Sequence, residues 1–226
     1  MTLSSELSRA VQGFVSERWE TQAARNVPEP DDLRLGAHAK NLKDAVVLYA
    51  DLADSTELVD NYAPEDVTRL YKAFLYCAAK LVKHHGGTIV SYDGDRIMAI
   101  YYGENHNTRA VETALKINYA ISEIINMHSK IKIKHVVGID RSDIFASRIG
   151  IRNDNDIVWV GRAANYAAKL SSLGSRYQTY ITDSVYKQMA RDLKNQYEWR
   201  YWGKGWQPYD SANKIKVLFS RDQIEF

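Results

Sequence analysis

The chain has a single cysteine, Cys77, in 226 residues. A lone thiol makes no internal disulfide and builds no cysteine-rich zinc site. Four prolines and 12 glycines are too few for a collagen-like or low-complexity chain. No apolar run reaches the roughly 18 residues that a membrane span needs, and no basic-then-apolar leader follows Met1. A charge excess of one sign is also missing. Thirty basic residues against 28 acidic ones leave +2, which calls for neither nucleic acid nor an anionic membrane. The six histidines show no His-Glu-x-x-His spacing, and there is no Walker-type phosphate loop. These absences predict a soluble, cytoplasmic protein with no nucleic-acid or membrane partner.

What is present is an ordinary globular composition. With 45% hydrophobic and 26% charged residues, the chain is able to bury a core and is not mainly disordered. Its length allows one large domain, or one domain with an extension. Tyrosine, at 15 residues, outnumbers the five Phe and five Trp. Its apolar body and polar tip suit half-buried faces and interfaces.

Residues 1–25 are expected to form one amphipathic helix. Leu3, Leu7, Val11 and Phe14 recur at helical spacing, with Ser4 or Ser5 as cap. This helix either packs on its own domain or helps a second subunit dock. Val27-Pro28-Glu29-Pro30 stops it, and residues 33–43 read as an irregular connector. The division is therefore placed at 43/44, with the main domain over 44–226. Residues 45–52 form a continuous apolar run, the pattern of a strand buried on both faces. Asp51, near its end, is out of place in such a core.

Asp54-Ser55-Thr56-Glu57 offers a helix cap. Pro64 opens a helix with Val67, Leu70, Tyr71, Phe74, Ala78, Leu81 and Val82 on its apolar face, ended by His84-His85-Gly86-Gly87. Residues 88–92 and 96–101 flank Asp93-Gly94, a hairpin signal. A second long helix spans 108–127. Strands follow at 132–139, 142–149 and 156–160, then a helix at 161–173 and a strand at 178–181. Thr182 caps a helix to about 193, and two strands around a Gly/Trp-rich loop complete the chain to 219. The β-α-α-β-β-α-β order predicts an α+β fold, a central and mostly antiparallel sheet flanked by helices on one face.

If the hairpin pairs beside the first strand, Asp51 and Asp95 meet at one edge of the sheet. Like charges so placed repel unless a cation lies between them. Paired divalent ions clamp the attacking and leaving oxygens in phosphoryl transfer. The Leu52 carbonyl is a natural third oxygen ligand for Mg²⁺ or Mn²⁺. On spacing alone the alternative stands that Asp51 caps a helix and Asp95 is an ordinary turn residue.

Three blocks now resemble one family. Tyr49-Ala50-Asp51-Leu52-Ala53-Asp54-Ser55-Thr56 resembles the aromatic-x-Asp-[Ile/Leu]-x-x-Ser-Thr signature of the class III nucleotidyl cyclases. Gly86-Gly87 followed by Gly94-Asp95-Arg96-Ile97-Met98-Ala99 resembles the second block. Gly161-Arg162-Ala163-Ala164-Asn165-Tyr166-Ala167-Ala168-Lys169-Leu170 resembles the third. The resemblance covers about residues 44–219 and makes 44–226 the expected catalytic domain. It implies an enzyme that converts a nucleoside triphosphate to a 3′,5′-cyclic nucleotide and pyrophosphate, using two divalent cations, Mn²⁺ before Mg²⁺. It also implies a homodimer with sites at the interface. Each site then takes the metal ligands Asp51, Leu52 and Asp95 from one chain, and the catalytic Asn165 and Lys169 from the other.

The chain departs from the family in places. Lys169 stands where arginine is usual, so a point charge replaces a planar fork. Arg162 is a second candidate cation or an ordinary helix-start arginine. The purine-reading positions hold Ser91 and Val158 in place of charged or polar groups. Tyr49 and Arg96 add polar groups at the site, and a site built on hydrogen bonds discriminates bases well. With the Val27-Pro28-x-Pro30 and Asp32-Leu33-x-Leu35-Gly36 lead-in, this combination resembles the pyrimidine cyclases of bacterial antiphage defence (the Pycsar systems). That resemblance implies cyclic UMP, or else cyclic CMP, as a messenger for a separate TIR-type or membrane effector. The other readings are an adenylyl or guanylyl cyclase with unusual base contacts, and a non-catalytic nucleotide-binding dimerisation module. Arg148 and Arg152, beside Asp154 and Asp156, form either a trigger-sensing loop or a solvated turn.

Overall fold

The computed structural model describes residues 2–226 except Arg152, Lys204 and residues 209–213. Thr2, not Ser4 or Ser5, caps α1 (Leu3–Ser16), its hydroxyl accepting the Ser5 N–H at 3.3 Å. The helix stops at Ser16, short of residue 25, because helical apolar spacing ends at Phe14 and Val15. Beyond it, β1 (Glu20–Ala23) pairs in parallel with the start of β2 (His38–Ala53). Residues 38–43, expected as irregular connector, belong to that strand, which runs through the 43/44 division. A β-bulge between Leu42 and Ala45, with Asp44 at φ +56°, marks the place.

The middle of the chain continues with α2 (Ser55–Asn61), α3 (Pro64–His84), β3 (Thr88–Asp93), β4 (Arg96–Tyr101) and α4 (His106–Tyr119). Asp54 does not cap α2 through its side chain; its backbone is left-handed, at φ +59°. After α4 the helical path becomes π-helical over Ala120–Ile125 and ends in α5 (Asn126–His128). β5 (Lys134–Ile151) is one strand where two were expected. The polar residues at its middle do not break it, because the fully buried Asp140 is satisfied there by Thr182 Oγ1 at 2.6 Å and Arg162 Nε at 3.1 Å. Arg162 is thus committed to Asp140.

β6 (Asp154–Val160) folds back on β5 and leads to α6 (Arg162–Ser171) and β7 (Thr179–Thr182). Two short helices, α7 (Asp183–Gln188) and α8 (Arg191–Gln196), replace one long one. The chain breaks between them to bury Met189 and to let Ala190 N–H donate to Thr108 Oγ1. Thr182 makes no capping bond, since its hydroxyl donates to Asp140. β8 (Arg200–Tyr201) and β9 (Val217–Ser220) pair around the Trp-rich loop as expected. Arg148 donates to Asn155 Oδ1 at 2.6 Å and to the carbonyls of Pro30 and Leu33, a structural tie. Arg152 lies outside the described residues.

Among the described residues the strands form one sheet in the order β3-β4-β2-β5-β7-β9-β8, with β1 and β6 as further partners of β2 and β5. Among the described residues only the β1–β2 and β5–β7 pairs are parallel. The period of two along β2 separates two faces. Val46, Leu48, Ala50 and Leu52 pack with α3 and α4 through Phe74, Val82, Val111 and Leu115. Val47 packs on the other side with Met98, Ile100, Ala163, Ala164 and Ala167. Helices therefore cover both faces, not one, with α6 alone against the central strands on the second face. Gly138 permits this: a Cβ there would lie 2.2 Å from the Ala167 carbonyl oxygen and 2.5 Å from the Ser171 nitrogen. Tyr49 and Asp51, in phase with Val47, belong to the α6 face.

Candidate active site

The β2–β4 register sets Asp51 directly across from Arg96, and Tyr49 across from Met98. The β3–β4 hairpin closes through Gly94 and Asp95, between the paired Asp93 and Arg96. Gly94, at φ +59°, supplies the left-handed residue that a two-residue hairpin loop requires. The loop is thus Gly94-Asp95, one residue later than the Asp93-Gly94 signal. Asp95 comes to lie next to the Asp51–Arg96 pair, so the hairpin does bring the two carboxylates to one place.

Their surroundings differ. Asp51 is buried, and its Oδ2 accepts both Arg96 Nε at 3.0 Å and Arg96 Nη2 at 2.6 Å. Burial holds its carboxyl above the usual carboxylate range. Arg96 pulls it back, while the negative charges of Asp95 and Asp93 add to the rise. Asp95 Oδ2 is buried with no hydrogen-bond partner. An orphaned carboxylate oxygen beside a second carboxylate is a donor set for a hard cation. The two aspartates fit such an ion, which would supply Lewis-acid and charge-neutralising chemistry to a phosphate ester. The Leu52 side chain belongs to the core, which leaves only its carbonyl for this purpose. β4 pairing stops at Asp51, so the β2 backbone beyond is unpaired on that side. Among the described residues no group of three or more His, Cys, Asp or Glu side chains gathers as a metal site.

Around the pair lie three further polar groups. The Tyr49 ring is 5.9 Å from the Arg96 guanidinium carbon, and burial raises the pKa of its hydroxyl despite that neighbour. Arg96 Nη2 also reaches Ser172 Oγ, at the end of α6, at 3.5 Å. Tyr71 fits the apolar stripe of α3 by its helical spacing. Burial raises the pKa of its hydroxyl, and the negative charges of Asp95 and Asp51 add to the rise. Pattern reading missed Tyr71 because its ring satisfies the helical apolar period. Its polar tip was the one signal.

Of the other expected residues, Ser91 lies in line with Tyr49, and the rest stand apart from this cluster. Ser91, exposed on β3, pairs with Met98, which pairs with Tyr49, so all three share one row of the sheet. Val158, on β6, pairs with Ser147 near the far end of β5, whereas Asp51 pairs with Val136 near its start. Asn165 and Lys169 are exposed on α6, opposite its buried stripe of Ala163, Ala167 and Leu170. Among the described residues neither bonds to Asp51, Asp95, Tyr49 or Arg96. Lys169 donates instead to the Pro208 carbonyl at 2.6 Å. A separate cavity of about 750 Å³ lies between α3 and the π-helical segment with the residues that follow it, lined by Leu70, Ala73, Cys77, Ile124 and Ile131, and shares no residue with the aspartate site.

Residues 37–205 match the adenylate and guanylate cyclase catalytic domain family. The chain belongs to that family. Within the cyclase family it is 46% identical over 201 residues to a uridylate cyclase of Burkholderia cepacia, covering 86% of this chain and 87% of the relative. It is 42% identical over 220 residues to a uridylate cyclase of Xanthomonas perforans, covering 94% and 95%. In fold, the cyclase domain is similar to the crystal structure of the adenylyl cyclase CyaB from P. aeruginosa. The TM-score is 0.69 at 18% identity, over 82% of this chain and 97% of that one. The chain is therefore a nucleotidyl cyclase domain with the α+β architecture of that class. No helix among the described residues is long and apolar enough to cross a membrane.

Proposed function

We propose that this chain is a uridylate cyclase that acts as a homodimer, converting UTP to 3′,5′-cyclic UMP and pyrophosphate in the cytoplasm. The observation that carries the reading is the Asp51–Asp95 pair with its orphaned Asp95 oxygen, set on the same sheet face as Tyr49. The uridylate cyclase relatives, matched over most of their length, support the choice of base.

In this reading Asp51 and Asp95, with the Leu52 carbonyl, would hold two divalent cations, Mn²⁺ before Mg²⁺, which would supply acidity to the ribose 3′-hydroxyl and charge neutralisation to the triphosphate. The 3′-hydroxyl gives up its proton to solvent, its oxygen forms a bond to the α-phosphorus as the α–β bridging P–O bond breaks, and pyrophosphate leaves with that electron pair. Asn165 and Lys169 of a second copy face this site. Lys169 stabilises the charge developing on the α-phosphate and Asn165 orients the ribose. Their exposure on α6, away from their own sheet, supports a role across an interface. Tyr49 and Arg96 contact the base. Ser91 and, from the second copy, Val158, where purine-reading groups are absent, complete a pocket for a small base. The cyclic nucleotide serves as a messenger in antiphage defence and acts on a separate TIR-type or membrane effector.

The test is incubation of the full chain with each of the four ribonucleoside triphosphates, with Mn²⁺ and then Mg²⁺, and identification of products by mass. Cyclic UMP is expected to dominate. Dominant cyclic CMP would move the base assignment to cytosine. Preference for ATP or GTP would overturn the pyrimidine reading, and no cyclic product from folded protein would overturn the enzymatic one.

A further inference from the structure

Arg96 occupies one carboxylate oxygen of Asp51. Both of its hydrogen bonds to Asp51 end on one oxygen, Oδ2, at 3.0 and 2.6 Å. A guanidinium donating twice to one carboxylate oxygen uses the lone pairs that a cation at that oxygen would need. The contact is built into the fold, since Arg96 is the cross-strand partner of Asp51 in the β2–β4 ladder. The side chain is also held on two further sides, by the Tyr49 ring and by Ser172 on α6. Asp95, one residue away, has no such counter-ion, and its Oδ2 is left without a partner. The two carboxylates of the site are therefore unequal toward a cation.

We propose that Arg96 competes with the divalent cation for Asp51, so that the two cation positions fill in order. This inference rests on the reading of Asp51 and Asp95 as metal ligands and deepens it. Asp95 takes a cation first, because nothing has to be displaced from it. A cation reaches Asp51 Oδ2 only as Arg96 leaves. The released guanidinium stays beside Tyr49 and Ser172, on the face where substrate binds, and is then free to donate to an acceptor of the nucleotide. The same residue in this way tunes affinity for the second cation and links its binding to substrate contact. Arg96 is a positioning residue in this role, acting through Asp51.

The test uses the full-length protein without nucleotide. Mn²⁺ titrations followed by electron paramagnetic resonance compare wild type, Arg96→Met and Asp51→Ala. Wild type is expected to show one tighter and one weaker cation. Arg96→Met should tighten the weaker one about tenfold to a hundredfold, the range set by removing a competing charge-assisted pair. Separately, the Arg96 Nε–H signal of ¹⁵N-arginine-labelled wild type is followed during titration with diamagnetic Mg²⁺. That signal should shift in step with occupancy of the weaker position. It needs no variant to fold. If the cation binds at Asp51 while the Nε–H signal stays unmoved, the displacement is overturned, even where Arg96→Met tightens binding through charge alone. An Arg96→Met variant with wild-type affinity overturns it too. If instead Asp51→Ala binds cations as wild type does, the metal-ligand reading itself fails.

Discussion

Lys169 donates its ammonium to the carbonyl of Pro208 at 2.6 Å, and Tyr166, one turn earlier on α6, packs edge-on against Trp206 with ring centres 5.2 Å apart. The C-terminal loop thus braces the helix that carries the expected catalytic residues. Lysine here, where the family pattern has arginine, presents a compact point charge in place of a planar fork. Lys169→Ala is expected to lower kcat about a hundredfold to a thousandfold, the effect of removing one donor from a developing charge, with a smaller change in KM. Lys169→Arg, which keeps the charge, should recover most of that loss. Steady-state kinetics on UTP checks both, and wild-type kcat in Lys169→Ala would remove this residue from the phosphate.

A shared site predicts complementation. Asp95→Asn and Lys169→Ala, each inactive as a homodimer, should regain about a quarter of wild-type activity when mixed in equal amounts, since half the dimers are mixed and each has one intact site. Mixtures that exchange subunits and stay inactive would contradict assembly of the site from two chains.

Tyr49→Phe keeps the ring and its contact with Arg96 and removes only a half-buried hydroxyl. Losing a hydrogen bond to the base should slow UTP cyclisation by about ten- to a hundredfold, with the thermal midpoint unchanged. A substrate profile identical to wild type would show that the hydroxyl does not meet the base.

Gly138→Ala should destabilise the fold by about 1–3 kcal/mol, the usual cost of overpacking, because the new Cβ meets backbone atoms of α6 at 2.2 and 2.5 Å. Urea denaturation reads this. The displaced α6 should also reduce activity, since Asn165, Lys169 and Ser172 move with it. An unchanged midpoint would mean that α6 does not approach the sheet so closely.

Acid should weaken the protein through His135. This ring is fully enclosed and donates to Asn118 Oδ1 at 2.7 Å, while Asn118 donates onward to Thr179 Oγ1 and the Asp222 carbonyl. Burial lowers its pKa from 6.5 to about 3. The folded state therefore keeps the ring neutral where the unfolded chain takes up a proton. The stabilisation is complete above pH 6.5 and falls with pH down to about 3, at close to 1.4 kcal/mol per pH unit from this one group. Unfolding free energies between pH 7 and pH 5 should fall more steeply for wild type than for His135→Gln. Parallel curves would show that His135 takes no part.

Much of the architecture was legible because it rests on local periodicity. The apolar run of β2, the stripe of α3, the Pro64 start and the Gly86-Gly87 stop are each properties of a few neighbouring residues, and the structure has them where the pattern places them. The limits of α1, the single long β5 and the split of α7 from α8 were not legible. Each depends on distant partners: the edge of β2 for β1, Arg162 and Thr182 for Asp140, and Thr108 for Ala190.

The candidate site divides the same way. Residue order alone determined which residue types the candidate site holds: two aspartates, a tyrosine two residues before the first and an arginine directly after the second, with Asn165 and Lys169 on one helical face. Spacing of this kind is one-dimensional and survives in the bare sequence. Only the tertiary structure decided that Arg96 lies across from Asp51 and spends two donors on one oxygen, that Asp95 keeps an unpaired oxygen, and that Tyr71 feels the charge of both carboxylates. Strand register and helix packing set those relations, and register is fixed by contacts among residues far apart in the chain, which no local pattern encodes.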